Sequence, residues 1–267
     1  MIASFGMYDP PWLHDANDHL WRAIAARLRT AGLTAVPAGL TRTRALGTIW
    51  TAPDLLLAQT CGYPLTMHLA DAVTLVATPC YNAPGCEGAA HRSALIVRRD
   101  DPAPDLAALA GRRAAINARD SNSGMNLLRA AIAPYARGGR FFGRVIETGT
   151  HQRSLNAVIA GAADIAAIDA VTLALLRDRY RGIDRRVRVL GWTTATPGLP
   201  LVTAAGQPPA TVRALRIALA DVLTDPALAG TRAALRLTGF ATLGRADYAV
   251  IPALEASARA AGYPAVA

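Results

Sequence analysis

Asn117-Ala118-Arg119-Asp120-Ser121-Asn122-Ser123-Gly124-Met125-Asn126-Leu127-Leu128 is the stretch on which the reading of this chain turns. An apolar run over 113–117 has strand length and ends here in a polar loop. Apolar residues then resume at helical spacing, predicting a helix over 123–134. Ser121 and Ser123 are both good N-cap residue types. Gly124 carries no Cβ, which lets an anion come close to the backbone. The first N–H groups of a helix have no partner within it, and they point outward at the positive end of the helix dipole. The dipole contributes roughly 0.3 to 2 kcal/mol toward a bound anion. Each hydrogen bond to a charged oxygen adds about 1.5 to 3 kcal/mol. Ser121, Asn122, Ser123 and Gly124 are therefore candidate anion ligands, and the other reading of the same residues is an ordinary capped helix.

Two further junctions have the same layout. Glu147-Thr148-Gly149-Thr150-His151-Gln152-Arg153-Ser154 passes from a strand over 141–147 through a small polar loop into a helix over 151–160. His151 falls in the first helical turn, where an imidazole can donate to an oxyanion or gain charge as one binds; otherwise it is an exposed helix histidine. Ala166-Ala167-Ile168-Asp169 is an apolar strand ending in a carboxylate. Asp169 either faces a ligand or caps the next helix, which runs to about residue 179.

The alternation of strand and helix begins upstream. Residues 2–7 read as a strand. A helix starts at Pro10-Pro11 and carries an apolar stripe through Leu13, Asn17, Leu20, Trp21, Ile24 and Leu28. Strands are predicted at 34–36, 54–58, 73–78 and 94–97. Past the 169 junction come a strand over 187–192, a turn at Pro197-Gly198, a strand beyond Pro200, and helices over 209–223, 226–237 and 248–261. Such an order implies an α/β protein with largely parallel sheets and ligands at the strands' carboxyl ends. The polar, proline-bearing segment 98–104 and the return near 197 divide the chain into two lobes. One is 1–98 plus 200–267 and the other is 103–195, with hinges near 98–103 and 195–200 and a ligand cleft between them.

Composition narrows the function. The chain has 267 residues, is 52% apolar and has a net charge of +9. All 28 cationic residues are Arg, so no lysine is available for a Schiff base. The densest basic stretch, 177–188, is interrupted by Asp178 and Asp184, so it reads as solvated surface and not as a nucleic-acid site. No apolar run is long enough to span a membrane. No basic and apolar leader follows Met1, which reads as cytoplasmic. His14 and His19 do not share a helix face. The spacing of Cys61, Cys80, Cys86, His68 and His91 matches no zinc pattern, so neither metal nor cofactor is expected. Neither a phosphate-binding glycine loop nor a nucleophile elbow is present.

Ser121-Asn122-Ser123-Gly124, Thr148-Gly149-Thr150-His151 and the run from Gly161 to Asp169 together resemble the phosphate/phosphonate ABC-transporter substrate-binding family (PhnD-like). Gln59-Thr60-Cys61-Gly62-Tyr63 looks like that family's first-lobe loop with its ligand-facing tyrosine. His91-Arg92-Ser93 looks like its Tyr-x-Ser element, with His91 in the tyrosine's place. The likeness spans nearly the whole chain. It implies a type II periplasmic-binding fold, and a small oxyanion such as phosphate, phosphite or a phosphonate held by the serines, His151 and Asp169. Tyr8, Tyr63 and His91 are expected to close from the first lobe. It also implies an ABC permease as partner and a periplasmic location once a leader is removed. Two other functions fit the same fold: a cytoplasmic lyase of the menaquinone-pathway type, with His151 or Asp169 as general base, and a ligand-sensing module.

Overall fold

The computed structural model describes residues 1–267. In chain order the strands are β1 (Ile2–Ser4), β2 (Leu55–Gln59), β3 (Val73–Tyr81), β4 (Cys86–Glu87), β5 (Ala90–His91), β6 (Ser93–Arg98) and β7 (Arg113–Ile116). They continue with β8 (Arg144–Glu147), β9 (Ile165–Asp169), β10 (Val187–Trp192), β11 (Thr196–Pro197), β12 (Leu201–Ala204) and β13 (Leu237–Ala241). The helices are α1 (His14–Thr30), α2 (Leu46–Trp50), α3 (Gly62–Met67), α4 (Leu127–Ile132) and α5 (His151–Ile159). After them come α6 (Ala170–Arg179), α7 (Ile183–Arg186), α8 (Pro209–Thr224), α9 (Ala229–Ala234) and α10 (Val250–Ala260).

These elements form two compact units. Unit 1 comprises residues 1–82, 87–89 and 197–247, and unit 2 comprises 83–86, 90–196 and 248–267. Unit 1 is built on a five-stranded sheet of order β1-β2-β12-β3-β13. β2 is buried along its whole length, as expected for a run that is apolar from Leu55 to Ala58 and buried on both faces. The predicted stripe of α1 is its buried face: Leu20, Trp21, Ile24 and Leu28 turn inward, and α1 packs on α8 and α9. Each such side chain contributes about 1.5 to 3 kcal/mol on burial.

Unit 2 has its own five-stranded sheet, of order β10-β6-β9-β7-β8. β7 runs parallel to β8 and β9, while β6 is antiparallel to both β9 and β10. The carboxyl ends of β7, β8, β9 and β10 therefore share one edge with the start of β6. The register places Ser93 opposite Asp169 and Ile116 opposite Glu147 on that edge.

Several local expectations are corrected. Residues 34–36 form a loop and not a strand. Exposed Thr34 and Ala35 offer no face to bury, and the Val36 carbonyl is taken by Arg29 Nη2 at 3.0 Å. The strand read over 141–147 is shorter, Arg144–Glu147, because Phe141 and Phe142 donate their N–H groups to the Ala267 carbonyl. The helix expected over 226–237 is a 3-10 turn followed by α9. Arg236 then takes a left-handed φ of 54°, and the chain leaves as β13, antiparallel to β3. Residues 90–98 and 248–267, assigned from sequence to the first lobe, lie in unit 2. β6 is paired along both sides by β9 and β10, and α10 packs on α4. Segment 98–103 accordingly lies inside unit 2, and the first passages between units occur over 82–90.

Candidate functional site

The polar loop after β7 enters its helix through a five-residue π turn, Asn122–Asn126, before α4. The Ser121 carbonyl accepts from Asn126 N–H at 3.0 Å, five residues on, and Ser121 Oγ accepts from Gly124 N–H at 3.0 Å. That use of the oxygen leaves the Ser121 hydroxyl proton free to donate. Single π turns of this kind recur at functional sites. Asn122 is engaged inside the protein at both ends of its amide: Nδ2 donates to Thr196 Oγ1 at 3.0 Å and Oδ1 accepts from Asn126 Nδ2 at 3.0 Å. Gly124 serves a purpose that its sequence context did not reveal. A Cβ at this position would collide with Asn117 Oδ1 and stand 3.0 Å from His151 Cε1. The glycine clears room for two neighbouring side chains.

His151 is delivered to the same place by the next junction. Thr150 Oγ1 caps α5 by accepting from Arg153 N–H, and Thr148 Oγ1 bonds the Ile116 carbonyl at 3.1 Å, tying this loop to the end of β7. The residue is half-buried, with Nε2 2.8 Å from Ser123 Oγ. Nδ1 is buried without a well-aligned partner, although the Ala167 carbonyl is near enough to influence it. Burial pushes the imidazole below its ordinary value. The Asp169 charge and the Ala167 carbonyl pull it upward, and His91 pushes it further down. The net result is a neutral ring at neutral pH.

Asp169 ends β9 and caps α6, with Oδ1 accepting from Thr172 N–H at 2.8 Å. Its Oδ2 lies 3.0 Å from His91 Nδ1, an ion-pair contact bent away from hydrogen-bond geometry. Burial alone pushes this carboxyl up. The contact and charge of His91, then the charge of His151 and the Thr172 N–H, outweigh it and hold the group at about 2. Asp169 is thus an ionised carboxylate that holds His91 in place. His91 Nε2 is buried with no hydrogen-bond partner, and so is Ser93 Oγ, across the sheet register from Asp169.

The unit 2 edge therefore brings together Ser121, Asn122, Ser123, Gly124, His151, Asp169 and His91. Sequence reasoning gives Asn117 no role and marks Ser93 only through the Tyr-x-Ser resemblance; their Oδ1 and Oγ are buried without partners. The signal available for both was position: each stands at a strand terminus on this edge. Tyr8 and Tyr63 belong to unit 1. Tyr8 is buried, stacks edge-on against Tyr81 with ring centres 5.3 Å apart, and has its carbonyl held by Asn17 Nδ2 at 3.0 Å. Tyr63 is buried in the first turn of α3, beyond the end of β2. Between them in sequence, Thr60 Oγ1 is a further buried hydroxyl without a partner. No cluster of three or more His, Cys, Asp or Glu is arranged to hold a metal ion. No helix is long and apolar enough to cross a membrane.

Comparison with known proteins agrees with this architecture. No curated protein sequence matches the chain. Among solved structures, a binding protein component of an ABC phosphonate transporter from Pseudomonas aeruginosa superposes with a TM-score of 0.77 at 16% identity, over 97% of this chain and 86% of that one. PhnD1 from Prochlorococcus marinus, in complex with methylphosphonate, gives 0.76 at 12% identity over 97% of both chains. XAC2383 from Xanthomonas citri, bound to chloride, gives 0.71 at 16% identity, again over 97% of both. The fold is thus that of the two-lobed, type II periplasmic binding proteins. The sequence model of the phosphonate ABC transporter's periplasmic substrate-binding protein matches residues 53–248, most of the chain. A solute-binding protein of ABC uptake, with a small-molecule ligand and a permease for partner, is what this match identifies: the chain belongs to the periplasmic substrate-binding protein family of phosphonate ABC transporters.

Proposed function

We propose that the ligand is a small tetrahedral oxyanion, a phosphonate or phosphate, held at the unit 2 sheet edge. The observation that carries this reading is that buried groups able to donate stand there without protein partners, His91 Nε2 and Ser93 Oγ, beside the Ser123–His151 pair. Buried polar groups are rarely left unpaired, because each costs about 1 to 3 kcal/mol. Several on one edge mark a place where a ligand supplies the missing partners. The anion takes the hydroxyl protons of Ser121, Ser123 and Ser93 and an N–H of His91. Asp169 is engaged by His91 and by the Thr172 N–H, so an incoming anion does not meet its carboxylate unopposed. Tyr8, in the loop that follows β1, and Tyr63, in the first turn of α3, are proposed as additional ligand contacts.

The methylphosphonate bound by PhnD1 makes that compound the first probe. Titration calorimetry with methylphosphonate, phosphate, phosphite and sulfate is expected to give saturable binding to at least one phosphorus oxyanion. Ser123→Ala is expected to weaken it at least tenfold, and Tyr8→Ala and Tyr63→Ala test the unit 1 residues separately. Absence of binding to all four anions would overturn the ligand class.

A further inference from the structure

Behind the anion turn runs a buried chain of hydrogen bonds that no ligand contact explains. Asn126, fully buried, donates Nδ2 to Asn122 Oδ1 at 3.0 Å and to the Ile251 carbonyl at 3.2 Å. Its Oδ1 accepts from Arg129 Nη2 at 2.6 Å. Arg129 is itself only 3% exposed. It reaches Glu255 Oε2 at 3.1 Å on α10 and donates Nη1 to the Pro264 carbonyl at 3.0 Å. On the far side Glu255 meets Arg259 Nη2 at 2.8 Å.

Such a network is a poor way to gain stability. A buried ion pair seldom outperforms apolar residues of the same volume, and its better-attested use is to select one conformation among several. Here the choice is one of helical register. Asn126 lies in the π turn, where Asn126 N–H and Leu127 N–H reach back five residues, to the Ser121 and Asn122 carbonyls. An α-helical register would make those bonds one residue shorter and rotate Ser123 about the axis. Asn126 bonds Asn122 side chain to side chain across the turn, and Arg129 fixes Asn126 from behind.

We propose that Arg129, acting through Asn126, is a positioning residue for the anion turn: it holds the π register that sets Ser123 Oγ on His151 Nε2. It touches no ligand. The inference rests on the oxyanion reading only for its binding arm, and its main test needs no ligand.

Two variants decide it. Arg129→Met removes the guanidinium and leaves Glu255 its contact with Arg259. Asn126→Ala keeps the Arg129–Glu255 pair intact and deletes the link to Arg129 together with the bonds to Asn122 and the Ile251 carbonyl, so every charged group stays paired and a folded protein is expected. The readout is the His151 ring followed by nitrogen-edited NMR against pH in the ligand-free protein. Asp169 and His91 face that ring and stay constant in both variants. The expected result is one ring environment in the wild type. In the variants the expectation is a shifted or doubled set, with the titration moved toward that of a free imidazole. The affinity for methylphosphonate should fall at least tenfold alongside. A folded Asn126→Ala protein with lowered thermal stability but an unchanged His151 spectrum would overturn the proposal and leave the network structural. A changed spectrum with no oxyanion binding even in the wild type would uphold the positioning claim and sink the ligand reading instead.

Discussion

Ser123 Oγ stands 2.8 Å from His151 Nε2, so two separate βα junctions of one sheet meet in a single hydrogen bond. With the ring neutral, Nε2–H can donate to the serine oxygen and leave the serine proton for an anion. In the other tautomer the serine proton is spent on the ring. A bound anion favours the first arrangement, and it favours a fully protonated ring still more.

Binding is therefore expected to take up a proton. In the free protein, burial holds His151 below its ordinary value of 6.5, against the pull of Asp169. A nearby anion raises it. The affinity for methylphosphonate should accordingly improve as pH falls from about 8 to 6, since the complex binds more protons than its separated parts. Calorimetry in buffers of differing ionisation enthalpy measures the uptake. His151→Gln should leave only the proton that the ligand itself exchanges, and equal uptake in both proteins would exclude the ring.

Acid stability tests the Asp169–His91 contact. Asp169 is held at about 2, below its ordinary value of 3.8. A depressed carboxyl stabilises the fold above its unfolded value, and that contribution is lost as pH falls through the folded one. On the order of 2 kcal/mol should disappear between about pH 4 and pH 2. Denaturant unfolding of the wild type at stepped pH should show this slope. Asp169→Asn should lie lower at neutral pH, because it loses the ionised carboxylate that meets His91, and should lack that share of the slope.

Much of this edge could be read from the sequence because local rules govern it. Ser121 and Thr150 cap their helices, and Asp169 both caps α6 and ends its strand. These are short-range consequences of residue type. What the sequence concealed was non-local. Ser93 matters because the antiparallel register sets it opposite Asp169, and no spacing within the chain encodes that pairing. The helix expected over 226–237 takes in Leu237, the first residue of β13, because Leu237 continues the apolar pattern of α9, whereas the left-handed φ at Arg236 and the free edge of β3 decide otherwise. Arg129 and Glu255 look like ordinary charged helix residues until α10 packs on α4.

Gly124 offers a double-mutant test of its newly found purpose. Gly124→Ala drives a methyl into Asn117 Oδ1 and crowds His151 Cε1. Overpacking of this sort costs about 1 to 3 kcal/mol. The variant should lose that much stability and bind methylphosphonate poorly. Asn117→Gly made on top of it vacates the space, so the pair should be more stable than Gly124→Ala alone, with a coupling energy of at least about 1 kcal/mol in denaturant unfolding. Simple additivity would mean that the glycine is needed for backbone access and not for clearance.

Ser93 sets stability against function in a single hydroxyl. Its Oγ is buried and has no partner in the protein, and leaving such a group unsatisfied costs about 1 to 3 kcal/mol. Ser93→Ala removes the unsatisfied atom and fills most of the same volume, so the ligand-free variant should unfold at a higher temperature than the wild type. If the hydroxyl instead completes its bonding on an oxyanion, the same change forfeits a bond worth about 1.5 to 3 kcal/mol, a loss of roughly tenfold or more in affinity. The two effects have opposite signs, which a general disturbance of the fold cannot produce. Thermal melts with and without methylphosphonate read both at once: the melting curve should rise in the free protein, and the increment added by ligand should shrink. A higher melting temperature with an undiminished ligand increment would place Ser93 outside the anion's contacts.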